Sequence, residues 1–403
     1  MGVVEVPVKR TAARPPVPAW ELVAGVGVFA VAGVALALAR IHLAHYPVDM
    51  AVYREAGRVV LHHQDPYAPS FGQDLRVPLP FTYPPFGALA AVPLALLRRD
   101  PALDAWTALS LAALFAMVWI AFRPAAERLP RLRGVAVGAV AAVVVFTVPV
   151  AQTISFGQVN LPLALACLYD CSRTGRRRGV LVGVATAIKL TPGLFVAYFA
   201  VTRQWAAAVR GAATAVVCEL LAAAVLPGPS REYWFHLIWD PKRPGDPAYF
   251  TNQSLLGAFD RLHLPNALWL VVAVGVLGYG LWRAAAAHRA GQELAAVALV
   301  GLSILLISPI SWEHHGVWLV IVFGVLAAWA ATPVEALAAL AAFGVFLFPL
   351  PLIGTHLASA HRPGALVDVV ENGFTLAWLA LLLALPACLP GHHPARDRTG
   401  PDG

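Results

Sequence analysis

Long apolar runs recur along the whole chain, and they limit its possible folds more than any other feature. Each run of about 20 apolar residues matches the thickness of a bilayer core. Hydrophobic residues make up 59% of the chain and charged residues 13%, whereas soluble domains carry about 25% charged residues. The runs do not alternate with a period of two, so helices and not a β-barrel would satisfy the backbone in lipid. The sequence therefore predicts an all-α, polytopic integral membrane protein.

The apolar runs follow one another closely enough to form one integrated domain. We expect this domain over residues 20–389, with about 11 to 13 membrane helices. Short tails precede and follow it at 1–19 and 390–403. The first tail is basic and rich in proline, which indicates a cytoplasmic N-terminus under the positive-inside rule. The two long polar loops, 41–83 and 227–265, are then predicted on the outer face.

Basic residues at both ends of single apolar runs conflict with a simple up-and-down topology. Arg98 and Arg99 indicate a cytoplasmic position, but a second basic segment, "RPAAERLPRLR", follows the next run. The run 179–201 also has arginines on both sides, and it contains Pro192, which interrupts a regular helix. Broken or re-entrant helices would resolve both conflicts, and such helices occur where they line a cavity.

Charge and cysteine content argue against several classes of protein. The formal net charge of +7 is typical of basic cytoplasmic loops. No motif resembles a nucleic-acid-binding module, so no nucleic-acid partner is expected. The cysteines lie in or beside apolar runs, where they indicate small core residues and not a disulfide framework or a metal site. They are Cys167, Cys171, Cys218 and Cys388.

A carboxylate stands where the chain leaves the first apolar run. After Pro47, the stretch "VDMAVYREAGRVVL" has helical spacing with valines on one stripe. This pattern predicts an amphipathic helix in the membrane interface. Asp49 and Tyr53 are one helical turn apart and share a face of this helix. Asp49 either acts in a site or only caps the helix, whose N-terminus favours an anion.

Two more polar positions stand out beside apolar runs. Tyr83 in "LPFTYPPF" either contacts a substrate or anchors an aromatic belt at the interface. Lys189 in "ATAIKLTP" is one of only three lysines. A buried ammonium group needs an anion, unless the lysine snorkels to the interface.

The segment "SPISWEHHGVW" brings three titratable groups to a membrane boundary. Glu313, His314 and His315 lack the HEXXH spacing of zinc proteases, so no metal is predicted here. Adjacent histidines cannot both face one site on a regular helix, and we therefore expect one of them to be functional. An interfacial polar turn is the alternative.

Amide side chains in two further segments suit a ligand rich in hydroxyl groups, because each amide both donates and accepts hydrogen bonds. They are Gln158 and Asn160 in "SFGQVN", and Asn252 and Gln253 in "YFTNQSLLGAF". The candidate substrate-binding residues are thus Tyr83, Gln158, Asn160, Asn252, Gln253 and Glu313.

These motifs follow one another in an order that resembles a known family. Residues 45–320 contain "VDMAVYREA", "DPY", "FTYPPF", "GQVNLPL", "AIKLTP", "NQSLLGAF" and "SPISWEHH". This order is similar to that of glycosyltransferase family 87, the polyprenol-phosphate-mannose-dependent mannosyltransferases of the membrane-embedded C-type superfamily. The resemblance implies the C-type glycosyltransferase fold and transfer of mannose, often in α-1,2 linkage, from a polyprenyl-phosphate-mannose donor. The acceptor would be a hydroxyl of an envelope glycolipid or lipoglycan on the extracytoplasmic face of the plasma membrane.

The resemblance also implies roles for particular residues. Asp49 matches the family's general base, Tyr53 its tyrosine one turn on, and His314 its histidine after "SW". A carboxylate can activate the acceptor oxygen, and a phosphate leaving group is a weak base, so the second carboxylic acid of glycosidases is not needed. Donor or cationic groups would bind the sugar and stabilise the departing phosphate; the candidates are Tyr53, Arg54, Lys189, His314 and His315. We expect no metal and no other cofactor.

Three other functions fit parts of the pattern. A transporter or flippase of lipid-linked sugars would share the intramembrane charge and a lipid groove. Such proteins often contain paired repeats, and the two halves of this chain do not resemble each other. A C-type transferase for another sugar, such as arabinose, would share the donor chemistry. A catalytically silent scaffold is the third alternative.

Overall fold

The structure is a computed structural model, and its described residues form helices joined by turns and loops. In this part of the chain there is no strand, and the only β-type pairing is an isolated bridge between Asn252 and Trp312. The all-α fold predicted from the apolar runs is confirmed. The tail 390–403 and nearly all of the tail 1–19 lie outside the described residues, which are 18–43, 46–240, 243–360 and 364–386.

The described residues form twenty α-helices, several of them broken at proline or glycine. In chain order these are α1 (Ala19–Leu43), α2 (Val48–Leu61), α3 (Pro85–Ala90), α4 (Val92–Leu96), α5 (Arg99–Ala126), α6 (Arg133–Val144), α7 (Val148–Phe156), α8 (Asn160–Ser172), α9 (Val180–Ile188), α10 (Leu194–Val201), α11 (Trp205–Val225), α12 (Pro227–Phe235), α13 (Leu255–Arg261), α14 (Asn266–Arg289), α15 (Glu293–Ile307), α16 (Leu319–Trp329), α17 (Pro333–Gly344), α18 (Leu350–Ser359), α19 (Ala365–Glu371) and α20 (Gly373–Ala384). Short 3-10 helices span Thr191–Gly193, Leu237–Trp239, Glu313–Trp318 and Val345–Leu347.

Several of these helices are long and apolar enough to cross a bilayer. In the described part of the chain, α5, α11 and α14 meet this test singly. Three bent pairs meet it together, with bends of 76° for α6 and α7, 55° for α17 and α18, and 72° for α19 and α20. By length and composition this gives three to six spans, beside five shorter apolar helices. A polytopic membrane protein is thus confirmed, while the larger number of helices expected from the sequence stays a prediction.

The two long polar loops lie on one face of the protein, which we name the loop face. Tyr67 of the first loop stacks on Tyr233 of α12 with ring centroids 5.5 Å apart. The guanidinium carbon of Arg243, in the second loop, lies 5.0 Å from the Tyr67 ring centroid. The two loops thus contact each other, and their predicted position on the outer face stays a prediction.

Arg98 and Arg99 also lie on the loop face, which corrects their assignment to the face of the basic N-terminal tail. The Arg99 guanidinium carbon is 5.3 Å from the ring centroid of Tyr46, just before α2. Helix α5 has 28 residues and is about 42 Å long, so it crosses the protein once. At its far end Arg128 donates a hydrogen bond of 2.7 Å to the carbonyl oxygen of Ala330.

Helices α9 and α10 form a hairpin that returns to the side from which it starts, which is the re-entrant one of the two arrangements, broken or re-entrant, left open by the basic residues at both ends. The guanidinium carbon of Arg178, before α9, lies 5.4 Å from the ring centroid of Phe199, near the end of α10. A Cβ on Gly211 of α11 would lie 3.2 Å both from the Gly179 carbonyl oxygen and from Cγ2 of Val196. The start of α9 and the middle of α10 therefore lie at the same height, and the turn between them points toward the loop face.

The first helix starts on the face opposite the loop face. Nε of Arg133, at the start of α6, forms a 2.6 Å ion pair with Oε2 of Glu21. The backbones are so close that a Cβ on Gly134 would lie 2.0 Å from the carbonyl oxygen of Glu21. Because α6 begins directly after the turn that ends α5, this contact fixes the start of α1 on the opposite face.

Helices α15 and α16 form the centre of the core. They are apolar on every side, and nearly all of their side chains are buried, as expected of a helix surrounded by other helices. The connection between them carries the "EHH" segment, so its polar side chains are held inside the protein. The described cysteines, Cys167, Cys171 and Cys218, are buried and free.

Candidate active site

Helix α2 holds Asp49 in its first turn and Tyr53 one turn later. Its glycine allows close packing on α4, because a Cβ on Gly57 would lie 2.6 Å from the carbonyl oxygen of Ala91. No side chain forms a capping hydrogen bond at the N-terminus of α2. Oδ2 of Asp49 is buried and has no hydrogen-bond partner among the described residues. Asp49 is therefore not held as a helix cap, and one of its oxygen atoms is available to a ligand.

Tyr53 and Tyr83 meet at the side-chain carbonyl of Gln158. The Tyr53 hydroxyl donates a short hydrogen bond to Oε1 of Gln158, and the Tyr83 hydroxyl donates to the same atom at 2.9 Å. The two hydroxyl oxygens are 2.8 Å apart. Gly157 ends α7 in the left-handed region, at φ 68°, which turns the next side chain toward α2. Burial raises the pKa of both tyrosines, so their hydroxyls stay protonated.

Lys189 lies at the tip of the re-entrant hairpin and points into the protein. Its Nζ donates to Oδ1 of Asn160 at 2.8 Å and lies 3.2 Å from Nε2 of His315. The same atom is 5.3 Å from the ring centroid of Tyr83. Lys189 is therefore not a snorkelling lysine, and two of its three N–H groups have partners in the protein.

The carboxylate of Asp49 belongs to the same group of side chains. Burial raises the pKa of Asp49 from 3.8 to about 7, while the positive charge of Lys189 and a hydrogen bond with Gln158 lower it. A carboxylate with a pKa near neutrality is suited to accept a proton at physiological pH. The structure thus brings a carboxylate, a cation and hydrogen-bond donors together at one point.

Both histidines of "EHH" join this cluster, which corrects the expectation that only one could. Their rings contact each other with centroids 4.8 Å apart. Nε2 of His314 lies 3.5 Å from Nε2 of Gln158, and His315 contacts Lys189. The expectation assumed a regular α-helix, whereas Glu313–Trp318 is a kinked 3-10 helix. Adjacent side chains still point in different directions on such a helix, and each histidine contacts a different member of the cluster, His314 contacting Gln158 and His315 contacting Lys189.

Polar contacts also fix the backbone of His314 and the side chain of Glu313, which precedes it. Its carbonyl oxygen accepts hydrogen bonds from Oγ1 of Thr153 at 2.6 Å and Nδ2 of Asn160 at 2.9 Å. Oε2 of Glu313 accepts from Nε2 of Gln152 at 2.6 Å. Oε1 of Glu313 is buried without a hydrogen-bond partner in the described part of the chain. Glu313 is thus a second carboxylate with a free oxygen, next to the cluster.

An apolar groove of about 300 Å³ ends at the tyrosine pair. Its walls come from α3, α4, α5, α8 and α9. The indole of Trp106 forms part of one wall and donates to the carbonyl oxygen of Gly157 at 2.6 Å. A long apolar chain in this groove would have its polar end beside the cluster. The lining includes Tyr53, Phe81, Tyr83, Leu94, Trp106, Leu163, Val184 and Ile188.

Three of the predicted site residues lie away from the cluster. Arg54 donates to the carbonyl oxygen of Leu97 at 3.0 and 3.3 Å. The Asn252 amide donates to the carbonyl oxygens of Pro247 and Pro309. Gln253 forms hydrogen bonds to the backbone around the start of α20. The structure gives these three residues contacts that join loops and helices, and it does not bring them to Asp49.

Sequence reasoning missed three side chains that surround the cluster. The Tyr67 hydroxyl donates to the carbonyl oxygen of Tyr83 at 2.8 Å; its "DPY" motif was noted but given no role. Arg243 donates to the carbonyl oxygen of Phe81. Nothing in the sequence near Arg243 or Trp106 distinguishes them from other loop and helix residues.

The described helices are those of an integral membrane protein, and its polar cluster adjoins an apolar groove. Residues 81–309 match the model of glycosyltransferase family 87. The chain is 35% identical over 336 residues to a polyprenol-phosphate-mannose-dependent alpha-(1-2)-phosphatidylinositol mannoside mannosyltransferase of Mycobacterium tuberculosis, covering 77% of this chain and 78% of the relative. It is 36% identical over 310 residues to the protein of the same name from Mycolicibacterium smegmatis, covering 70% of each.

A further relative from Mycolicibacterium smegmatis is named a polyprenol-phosphate-mannose-dependent alpha-(1-2)-phosphatidylinositol pentamannoside mannosyltransferase. It is 34% identical over 253 residues, which cover 60% of each chain. No solved structure matches the chain. The chain belongs to glycosyltransferase family 87. It is therefore an enzyme, and the transporter and scaffold alternatives are set aside.

Proposed function

We propose that this protein transfers mannose from a polyprenyl-phosphate-mannose donor to a hydroxyl of a phosphatidylinositol mannoside or related glycolipid, in α-1,2 linkage, with Asp49 as general base. The names of its relatives support the donor, the sugar and the class of acceptor. The same names disfavour arabinose as the sugar. The observation that carries the role of Asp49 is its free, buried Oδ2, one helical turn from Tyr53, which lines the end of an apolar groove.

The reaction needs one base and a way to hold the leaving phosphate. Asp49 takes the proton from the acceptor hydroxyl as that oxygen attacks the anomeric carbon. The bond from that carbon to the phosphate oxygen breaks, and the electron pair stays on the phosphate. With a β-linked donor, a single displacement gives an α product with inversion. Lys189, which contacts Asn160 and His315, would hold the phosphate through its remaining N–H group.

The position of the groove explains why a membrane protein performs this chemistry. The isoprenoid tail of the donor is insoluble in water, and a groove of helices α3, α4, α5, α8 and α9 gives it an apolar environment. The sugar would then lie between Tyr83 and the loop face, where Gln158, Asn160 and Glu313 are within reach as hydrogen-bonding groups. Apolar walls lower the local dielectric and strengthen the contacts to the phosphate.

The proposed reaction needs no metal ion. Lys189 supplies positive charge and an N–H donor for the phosphate. In the described part of the chain, no three His, Cys, Asp or Glu side chains lie together as potential metal ligands. Activity that survives EDTA treatment of the purified protein is the expected result. Loss of activity in EDTA with recovery on adding a divalent ion would contradict it.

The proposed orientation places the loop face outside the cell. The opposite face carries the arginine-rich turns between α5 and α6 and between α8 and α9, and such turns are typical of the cytoplasmic side. A membrane-impermeant maleimide added to whole cells should label Ser70→Cys on the loop face but not Thr174→Cys on the opposite face. Labelling of only the second variant would reverse the orientation.

The role of Asp49 can be tested with Asp49→Asn in the purified protein. Loss of a general base is expected to lower the transfer rate by about 100- to 10,000-fold. The assay uses polyprenyl-phosphate-mannose and a phosphatidylinositol mannoside, with the mannosylated product quantified by mass spectrometry. The control is Asp74→Asn, which removes an exposed carboxylate from the same loop and should leave the rate unchanged.

Two results would contradict the proposal in different ways. Transfer by Asp49→Asn at more than a tenth of the wild-type rate would remove Asp49 as the base. A wild-type protein that binds the donor but transfers no mannose to any phosphatidylinositol mannoside would refute the assigned reaction.

A further inference from the structure

Arg243 is a half-buried cation that the reaction described above does not use. Its guanidinium carbon lies 5.0 Å from the Tyr67 ring centroid, and one of its N–H groups donates to the carbonyl oxygen of Phe81. The structure records no ion pair for Arg243 among the described residues. Burial lowers the pKa of Arg243, and the negative charges of Asp240 and Asp65 oppose this shift. A guanidinium has five N–H donors, and within the described part of the chain one of them is engaged, by the carbonyl oxygen of Phe81.

The position of Arg243 links it to the end of the apolar groove. Phe81, whose carbonyl oxygen holds Arg243, also lines that groove. Tyr67, whose ring lies under Arg243, donates its hydroxyl to the carbonyl oxygen of Tyr83. Lys189 lies over the ring of Tyr83. Two cations therefore flank the extended segment 81–83 at the point where the groove ends.

We propose that Arg243 binds the lipid phosphate at the end of the groove, together with Lys189, and stabilises the charge on the departing polyprenyl phosphate. This assignment rests on the proposed function. In that reaction the acceptor oxygen forms a bond to the anomeric carbon, and its proton goes to Asp49. The carbon–oxygen bond to the phosphate breaks, and the phosphate changes from one negative charge to two. A planar guanidinium matches phosphate oxygens in a bidentate geometry.

The phosphodiester of the acceptor lipid offers the same chemistry as the phosphate of the donor. The donor is the source we assign, because the Phe81 side chain lines the groove that would hold the donor's tail. An arginine that contacts the leaving group acts more strongly in the transition state than on the bound substrate. Arg243 should therefore affect turnover and donor-phosphate binding, and leave acceptor binding unchanged.

The first measurement is binding of farnesyl phosphate and of farnesol to the purified full-length protein in nanodiscs. Arg243→Gln should raise the dissociation constant of farnesyl phosphate by about 10- to 100-fold, since it removes a charge-assisted contact. Farnesol, which has the same tail without the phosphate, should bind as it does to the wild type, which also shows that the groove is intact. Arg243→Lys keeps the charge and should restore part of the affinity. The control is Arg76→Gln, an exposed arginine over Tyr46 on the same face.

The second measurement separates the two lipid phosphates by steady-state kinetics with polyprenyl-phosphate-mannose and a phosphatidylinositol mannoside. Arg243→Gln should lower kcat by at least tenfold, with no change in the acceptor KM. A selective rise in the acceptor KM would assign Arg243 to the acceptor's phosphodiester and overturn the proposal. Equal loss of farnesol and farnesyl phosphate binding, or no loss of either, would overturn it as well.

A different result would refute the proposed function without refuting the phosphate site. A wild-type protein that transfers no mannose, but binds farnesyl phosphate in an Arg243-dependent manner, would refute the reaction and leave the phosphate site in place.

Discussion

Two buried polar clusters lie near the loop face, and they differ in how completely their hydrogen bonds are satisfied. The Asn252 amide donates to two backbone carbonyls and accepts from two backbone N–H groups. The Gln253 amide is similarly engaged with backbone groups. Around Asp49, in contrast, Oδ2 of that residue and Oε1 of Glu313 are buried without a partner among the described residues. Lys189 keeps one N–H group beyond its contacts to protein side chains.

The difference shows which buried polar groups build a scaffold and which build a site. A fully paired amide stabilises the fold and has no capacity left for a ligand. Unpaired groups cost stability, and proteins retain them mainly at functional sites. We therefore expect substitutions around Asp49 to lower activity without lowering stability, and substitutions around Gln253 to do the reverse.

Of the three effects that test this comparison, the largest is expected for Lys189→Gln. The change removes a preorganised cation next to the proposed phosphate position, so kcat/KM should fall by about 100- to 1,000-fold. The thermal midpoint should not fall, because the variant no longer has to bury an ammonium group. Transfer assays and scanning fluorimetry on the same detergent-purified sample measure both quantities. A variant that unfolds at a lower temperature but keeps normal activity per folded molecule would place Lys189 in the scaffold.

A smaller effect is expected for Gln253→Leu, which should lower stability and leave activity nearly unchanged. Leucine has a similar size but leaves several buried backbone groups without partners, which should destabilise the protein by about 3 kcal/mol. Activity per folded molecule should stay within about threefold of the wild type. The matched control is Gln73→Leu, since Gln73 is exposed and bonds only to a loop carbonyl. A Gln253 variant with unchanged stability and a raised acceptor KM would return this residue to the substrate-binding group.

The fold class and much of the site could be predicted from the sequence, for physical reasons. Hydrophobic run length predicts membrane helices, because the bilayer sets the length of a spanning segment. Asp49 and Lys189 stood out because charge is expensive in an apolar setting. Basic residues on both sides of one run predicted a broken or re-entrant helix there, since both ends must then lie on one face.

Local patterns could not predict how distant segments meet. Asn252 and Asp49 are equally unusual in an apolar chain, and only the structure shows that one is fully paired. Sequence spacing does not reveal that "EHH" forms a 3-10 helix whose two histidines contact different members of the cluster. Arg243 has no neighbouring motif, and its contact to the Phe81 carbonyl oxygen joins residues 162 positions apart.

The smallest of the three effects is a pH dependence that separates activity from stability. The raised pKa of Asp49, about 7, means that the base is increasingly protonated below neutral pH. The rate kcat/KM should then fall about tenfold for each pH unit below 7. The positive charge of Lys189 lowers the pKa of Asp49. Removing that charge should therefore move the acidic limb of the pH profile to higher pH.

Stability should respond to pH in the opposite direction. A carboxyl group with a higher pKa in the folded than in the unfolded state binds its proton more tightly when folded. The contribution of Asp49 to stability is therefore fully present below pH 3.8 and is lost as the pH rises through about 7. Between these values, acidification should lower activity while the Asp49 contribution to the thermal midpoint rises, and Asp49→Asn should abolish that contribution. The alternative is that acid inactivates the enzyme by unfolding it and not by protonating its base. Activity and the thermal midpoint of the wild type would then fall together, and Asp49→Asn would show the same midpoint profile.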